Sequence, residues 1–457
     1  MPHSVFFPTL PSPRRAMMQN ASLVCAFLAC LLLPFDTIPV DNILVPRASV
    51  YPILIGTALW AASGGFAGLW REQRNFVCLV GLHCFWMLAA TLNGLYELRA
   101  EPGLLFPLAR CLADLVSFWA APLWFASLLG QHEKPFNFVQ WALLAMFALL
   151  ALYAVADMLH IAGWQKATDF LRATSPLFRK VATSDGWWPP LIWGDHRLRS
   201  LCGSPAFLAQ LLCILLPLLW LHMRRAPLPG ALLLGVALLM IMLTKSMTGF
   251  IALAGLAVCG VCLSREISLR RRVAFMALLV LLAPLLPLLV YGQIAVEKFT
   301  QATGRERSVV MLSELGIMAK HPLFGQGYRL SGRGMEEQLA KLPFTMGTEG
   351  HMWIAAQRER GPLKNAYPAL NAYSRMGAEA GVLGLLSFLA VFAWPVWRAL
   401  RKDRRNPEEQ TLCLMLLAAA AFWIGEDSHS SFAPYLILGA LNALDAKTRG
   451  QKPGITT

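Results

Sequence analysis

The chain is 457 residues long, 56% hydrophobic and only 14% charged, with 40 Lys and Arg against 26 Asp and Glu for a formal net charge of +14; its mean hydropathy is +0.52. Soluble domains carry about 25% charged residues, so this composition excludes a soluble enzyme or a charge-rich disordered chain and defines an integral membrane protein. The excess base falls mostly in short clusters between apolar runs, so it reports topology and not a nucleic-acid partner.

Taken in chain order, apolar runs able to cross about 30 Å of hydrocarbon are predicted near 19–35, 51–69, 76–94, 104–130, 137–159, 203–223, 227–245, 247–264, 273–292, 379–397, 410–425 and 431–446. The expected fold is an all-α integral membrane protein of about twelve transmembrane helices with a large folded periplasmic loop containing short helices. The first run follows Arg14 and Arg15 and ends in PFDTIPVDN with no small-residue cleavage site, so it reads as a retained helix.

Threading twelve helices puts Arg14, Arg15, Arg71, Arg74, Lys134, Arg224, Arg225, Arg265, Arg270, Arg271, Arg272, Arg398, Arg401, Lys402, Arg404 and Arg405 on one side. Short basic loops stay in the cytoplasm, which predicts that both termini are cytoplasmic. Four regions follow: residues 1–202 with the first helices and a polar loop, 203–292 with central helices, 293–378 as the large loop, and 379–457 with the last helices and tail.

Within the helices, ionisable groups are sparse. Arg110 and Asp114 stand four apart on the fourth run and are expected to neutralise one another; Asp157 lies near the end of the fifth. Nine of the ten cysteines fall inside apolar runs without paired CxxC spacing, which reads as packing. Neither a metal nor a cofactor motif is present in the sequence.

Two polar segments, about 160–202 and 293–378, are too long to be connectors and carry Trp, Gly, Pro and charges in place of low-complexity sequence. The threading faces both away from the cytoplasm. The second holds eleven basic residues, among them Arg305, Arg307, Arg329, Arg333, Lys364 and Arg375; the first holds Arg179, Lys180, His196, Arg197 and Arg199 just before a helix. Solvated cations on translocated loops explain the bias blandly. An anionic ligand explains it better because both loops repeat it, and arginine forks match phosphate oxygens.

Three motifs then resemble those of the O-antigen ligase and Wzy-type polymerase superfamily over roughly residues 195–390. RSLCGSPAFLAQLL matches the family's approach to a central helix at Arg199, Gly203, Pro205, Leu208 and Ala209, with Ala206 or Phe207 in place of the family's Asn. LTKSMTGFIALAGL is similar to its Thr-x-Ser-Arg-Gly turn through Thr244 and Ser246; Met247 replaces the Arg, and Lys245 offers a substitute cation. The bland reading is a turn capping two helices. GRERSVVMLSELGIMAKHPLFGQGY looks like its Arg, amphipathic helix and His-Pro-Leu-x-Gly-x-Gly, carried by Arg307, His321, Pro322, Leu323, Gly325 and Gly327. Val310, Leu312, Leu315, Ile317 and Met318 predict an apolar face for a helix on the membrane surface. His321 reads as a helix C-terminal residue in preference to a base.

Downstream, LNAYSRMGAEAGVLGLLSFL is similar to the family's His-Asn-x-Tyr-Leu and Glu-x-Gly pattern at Asn371, Tyr373, Glu379, Gly381 and Gly384, but the His position is Leu370. An earlier KNAYPAL repeats the Asn-Ala-Tyr with Lys364 at the His position.

The resemblance implies metal-independent transfer of a glycan from undecaprenyl diphosphate to an acceptor sugar hydroxyl at the periplasmic face. It implies a polymerase of O-antigen or exopolysaccharide, with a ligase to lipid A core or protein as the alternative. A lipid-linked oligosaccharide transporter or a non-catalytic assembly partner is a third class, disfavoured by the lack of internal repeats. The partners implied are the lipid-linked glycan, the acceptor and assembly or chain-length proteins.

Arg199, Arg307 and Lys245 are the expected clamp for the leaving diphosphate, with Arg197, Ser246, Arg305, Arg329, Tyr373 and Lys364 as substrate-binding candidates. Leucine accepts no proton, so a base is expected near Asn371, with His351, Glu349 and Glu359 of the same loop as candidates.

Overall fold

A computed structural model describes residues 13–35, 47–179, 190, 192, 196–263, 302–342, 348–368, 370–402, 406–425 and 431–450. Among these the regular structure is helical, with no strand: α1 (Pro13–Leu31), α2 (Val50–Ala62), α3 (Leu69–Glu97), α4 (Leu105–Gln131), α5 (Pro135–Ile161), α6 (Gln165–Phe178), α7 (Pro205–Arg225), α8 (Pro227–Thr244) and α9 (Met247–Leu263). After the gap come α10 (Ala302–Lys320), α11 (Gly332–Leu339), α12 (Thr348–Arg360), α13 (Ala372–Leu400), α14 (Pro407–Phe422) and α15 (Ala433–Gly450).

A described helix stands at every expected span but 273–292, which lies outside the described residues. Among the described residues six stretches are long and apolar enough to cross a bilayer: 65–97, α4, α5, α7, α8 and α13; α2 and most of α9 are apolar but shorter. A helix satisfies its own backbone polar groups, as hydrocarbon demands.

The bundle packs α15 along α4, α7 against α8 and α14, and α13 against α3 and α10. Small residues and hydroxyls set the close approaches. A Cβ on Gly56 would lie 2.2 Å from the Trp124 ring, and the indole N–H of Trp124 donates to Ser22 at 2.9 Å, which donates to the Gly56 carbonyl at 3.0 Å. Phe118, Trp119, Phe388, Phe392, Trp423 and Tyr435 form an aromatic node joining α4, α13, α14 and α15.

The bundle has two distinguishable ends. At one, Arg225 pairs with Glu408 at 2.8 Å, Lys402 with Glu409 and Asp445 at 2.7 and 3.0 Å, and Arg398 with Asp445. At the other lie the α8–α9 turn, the start of α13 and the loop helices α10 to α12.

α13 is broken at Gly381 (φ 69°, ψ −174°), and the HPLFGQGY loop fills the break. Gln326 N–H donates to the Ala378 carbonyl at 2.9 Å, Gly327 N–H to Glu379 at 2.9 Å, and Val382 N–H to the Pro322 carbonyl at 2.7 Å. Only glycine fits here: a Cβ on Gly381 would sit 2.2 Å from the Leu323 carbonyl oxygen and one on Gly325 2.5 Å from that of Ala378. His321 ends α10, its N–H bonded to Ile317 and its carbonyl accepting from Gly325.

The expected apolar face of α10 divides. Val309, Val310 and Ile317 are buried with Met335, Leu339, Tyr367 and Ala378, whereas Leu312 and Leu315 are partly exposed. The buried face is partly ionic, because Glu314 pairs with Arg375 at 2.9 Å and accepts from the Ser374 hydroxyl at 2.5 Å. Arg375 also donates to Ser331 at 2.9 Å and to the Tyr367 carbonyl at 3.2 Å. The Arg110–Asp114 pair forms at 3.2 Å, and Asp114 further accepts from the Tyr328 hydroxyl at 2.8 Å and pairs with Arg329 at 3.3 Å. This fastens the loop to α4.

Candidate functional site

α7 starts where its sequence demands, at Pro205 after Ser204, whose hydroxyl accepts from Phe207 N–H at 3.1 Å. Upstream, residues 196–203 fold back across the bundle. Asp157 on α5 accepts from the backbone N–H of Ser200 at 2.6 Å and of Arg199 at 3.2 Å, and the Ser200 hydroxyl donates to the Leu150 carbonyl at 2.7 Å. Arg179 is buried and donates to the carbonyls of Cys202 and Ser200 at 2.7 and 2.9 Å. Asp157, noted in the sequence as a rare intramembrane charge, and Arg179, noted among the cations of the first polar loop, are structural anchors. They lie 42 and 20 or more residues from their partners, and no spacing rule connects them.

The anchored segment lies on the α8–α9 turn. Leu198 N–H donates to the Leu243 carbonyl at 2.9 Å, and Arg197 Nε to the Thr244 carbonyl at 2.9 Å. Lys245 ends α8 with φ 50°, and Ser246 caps α9 by accepting from Gly249 N–H at 3.2 Å. The segment bearing Arg197 and Arg199 therefore lies on the turn bearing Lys245 and Ser246, while the Arg199 guanidinium donates to the Pro190 carbonyl at 2.7 Å. His196, Ser200 and Lys245 all take positive φ (49°, 51° and 50°). A non-glycine residue there costs about 1–3 kcal/mol, and such strain is typical of positions held for function.

The α10 side joins through α14. Gly425, after α14, abuts Thr248: a Cβ there would lie 2.8 Å from the threonine methyl. The neighbouring Ile424 carbonyl accepts from Asn371 Nδ2 at 2.7 Å, and that amide also lies 3.7 Å from Met311 Sδ. Met311 is one helical turn after Arg307. A chain of contacts thus links the turn bearing Lys245 to the helix bearing Arg305 and Arg307, whose side chains lie outside the described residues, as does that of Glu349.

The remaining candidates have structural partners or stand apart. Asn371 caps α13, accepting from Tyr373 and Ser374 N–H at 2.9 Å each, and the Tyr373 hydroxyl donates to the Ala420 carbonyl at 2.7 Å. Arg329 is engaged by Asp114. Lys364 sits over the Phe106 ring at 5.6 Å. His351 and Glu359 are exposed on α12. Leu370, at the family's His position, packs against the loop core.

A shallow cleft with an accessible volume of about 10 Å³, room for about one water, lies beside the anchored segment, lined by Asp157, His160, Ile161, Leu171, Ser175, Ile192, Arg197 and Arg199. Ser175 is buried and its hydroxyl has no hydrogen-bond partner among the described residues. Two arginines beside a carboxylate and neutral hydrogen-bonding groups suit a ligand that carries both negative charge and hydroxyls. Neither His160 nor Ser175 was legible as a site residue, since each sits in an ordinary helical context.

Residues 231–389 match the family model described as O-antigen ligase, so over that stretch the chain is similar to the O-antigen ligase family, which supports a membrane glycosyltransferase-type function. No curated protein matches the chain.

Proposed function

We propose that the protein transfers a glycan from undecaprenyl diphosphate to an acceptor sugar hydroxyl at the periplasmic face of the inner membrane, as a polymerase of lipid-linked repeat units. The end bearing Arg225, Arg398 and Lys402 is the cytoplasmic one by the positive-inside rule, and the cleft lies at the other. The observation that carries the reading is the junction of Arg197 and Arg199 with the Lys245 turn. Those cations, with Arg307 on the adjoining helix α10, take up the charge that develops on the departing diphosphate; preorganised groups do this without reorganisation cost at the moment of reaction.

Ligation to lipid A core or protein is the second reading, favoured by the description of the matching family. The polymerase is preferred because Leu370 fills the ligases' His position with a packing residue.

Purified protein incubated with the lipid-linked glycan decides between them. A ladder of longer chains on the same lipid marks a polymerase, and transfer to added lipid A core marks a ligase. Arg199→Ala and Arg307→Ala should each lower transfer about 10²–10³-fold, the usual cost of removing one transition-state donor. Undiminished transfer by both variants would exclude the clamp.

A further inference from the structure

α6 turns back along the helix that precedes it. α5 ends at Ile161, Gly163 takes φ 87°, and α6 begins at Gln165. Thr168, early in α6, lies 2.8 Å from His160 Nδ1 near the end of α5, and Thr174, late in α6, lies 2.7 Å from the Tyr153 hydroxyl. The Tyr153 ring also meets those of Phe170 and Phe178, at 6.0 and 5.7 Å between centroids. Partners on α5 recede as α6 advances, so the two helices form an antiparallel hairpin.

Helix length sets how deep this hairpin reaches. The 27 residues of α5 extend about 40 Å at about 1.5 Å each, and the hydrocarbon of a bilayer is about 30 Å thick. A spanning α5 therefore projects at most about 10 Å beyond the hydrocarbon, both ends together. Tyr153 lies about 12 Å below Ile161 by the same rise, so α6 meets it inside the hydrocarbon zone even if the whole excess stands at that end. Tilt only shortens the excess. The opposite end takes part of it as well, since Gln140 lies 3.2 Å from His222 Nδ1 close to Lys134.

The faces of α6 agree with that depth. Ala167, Thr168, Leu171 and Ser175 are buried against the bundle. Phe170, Ala173 and Leu177 form an exposed apolar stripe, with Leu177 68% and Phe170 48% exposed, and α5 beside it exposes Leu152 (74%) and Val155. The charges fall elsewhere. Asp169 and Arg172 pair at 3.7 Å on an edge roughly 70–130° round the helix from the stripe. Lys166 stands in the first turn, where a long side chain reaches the polar zone, and the exposed Trp164 at the corner suits the membrane–water interface.

We infer that α6 is a re-entrant helix whose Phe170–Ala173–Leu177 stripe faces the acyl chains of the leaflet at that end of α5. The inference needs α5 to cross the bilayer; it is independent of the transfer reading. Non-helical backbone at such depth is tolerated only against protein, and the chain beyond α6 meets that condition. Arg179 is buried and donates to the carbonyls of Cys202 and Ser200, and the Ser200 hydroxyl donates to the Leu150 carbonyl. Leu150 lies about 16 Å below Ile161, so residues 200–202 are held beneath the membrane surface with α6. On the transfer reading, a donor carried by a lipid needs no lift out of the bilayer to reach that segment.

The test places the photoreactive residue p-benzoylphenylalanine at Phe170 or Leu177 of the full chain in phosphatidylethanolamine–phosphatidylglycerol nanodiscs. Leu152 on α5 is the lipid-facing reference, and Lys341, exposed after α11, is the aqueous control. After irradiation, sites 170 and 177 should give acyl-chain adducts within about threefold of site 152 and at least about tenfold above site 341, as an acyl-buried stripe requires. Mass spectrometry reads the adducts. Adduct yields at the level of site 341, or cross-links to a second copy of the chain, overturn the inference. Should the variants not insert, wild-type protein with a phospholipid bearing a diazirine at its acyl terminus substitutes. Its label should reach residues 165–178, and label on α5 and α8 with none on 165–178 overturns the inference equally. Neither measurement reads transfer, so this inference and the transfer reading fail separately.

Discussion

Arg197 Nε donates to the Thr244 carbonyl at 2.9 Å across 47 residues of sequence. This bond fastens the segment that carries Arg199 to the turn that carries Lys245, and it gives the two cations a shared frame. The frame itself is held from behind by Asp157, and it costs backbone strain at three positions. The following predictions probe those supports.

Asp157→Ala should destabilise the protein by about 2–6 kcal/mol, since it leaves the N–H groups of Arg199 and Ser200 buried without an acceptor at about 1–3 kcal/mol each. Asp157→Asn keeps one acceptor oxygen and should lose less. Thermal unfolding in detergent orders the two, and transfer activity should follow the same order.

Lys245→Gly separates stability from activity. Glycine relieves the positive φ of 50°, worth about 1–2 kcal/mol, so the melting temperature should rise or hold while transfer falls with the lost cation. A variant both more stable and fully active would show that the Lys245 charge is dispensable.

Gly381→Ala places a methyl group 2.2 Å from the Leu323 carbonyl oxygen at a φ of 69°. Backbone bounds the clash on both sides, so α13 must shift off the HPLFGQGY loop, and yield of folded protein should collapse. Gly81→Ala, on α3 with nothing within 4 Å, is the matched control and should keep wild-type yield, measured by size-exclusion chromatography.

Glu314→Gln should cost up to about 3–5 kcal/mol because it removes the nearer carboxylate partner of Arg375 in the loop core, where both side chains are almost fully buried, and leaves Glu379 at 3.8 Å. The double variant Glu314→Leu with Arg375→Met removes both charges and should recover much of that loss. Limited proteolysis of the α10–α12 region reads the difference directly.

Helix positions were legible in the sequence because a membrane helix announces itself through an unbroken apolar run; α3, α4, α5, α7 and α8 lie within a few residues of their expected spans, save for a longer N-terminal start on α3. The Gly325, Gly327 and Gly381 requirement was legible as a pattern, but its cause was not. That cause is a loop laid into a broken helix, a contact between segments more than 50 residues apart. Ser246 and Asn371 show the converse: both stand in the family's motifs, and both spend their side-chain atoms on helix caps.

The sequence by itself determined the class of this protein, its helices and the motifs that relate it to a family, since these depend on composition, local periodicity and short spacing. Tertiary structure alone decided which of these segments meet. It seats Arg197 on Thr244 and buries Asp157 against the backbone of Arg199 and Ser200. Burial and hydrogen-bond direction are properties of neighbours in space. No rule of spacing along the chain carries them across the 40 or more residues that separate these groups.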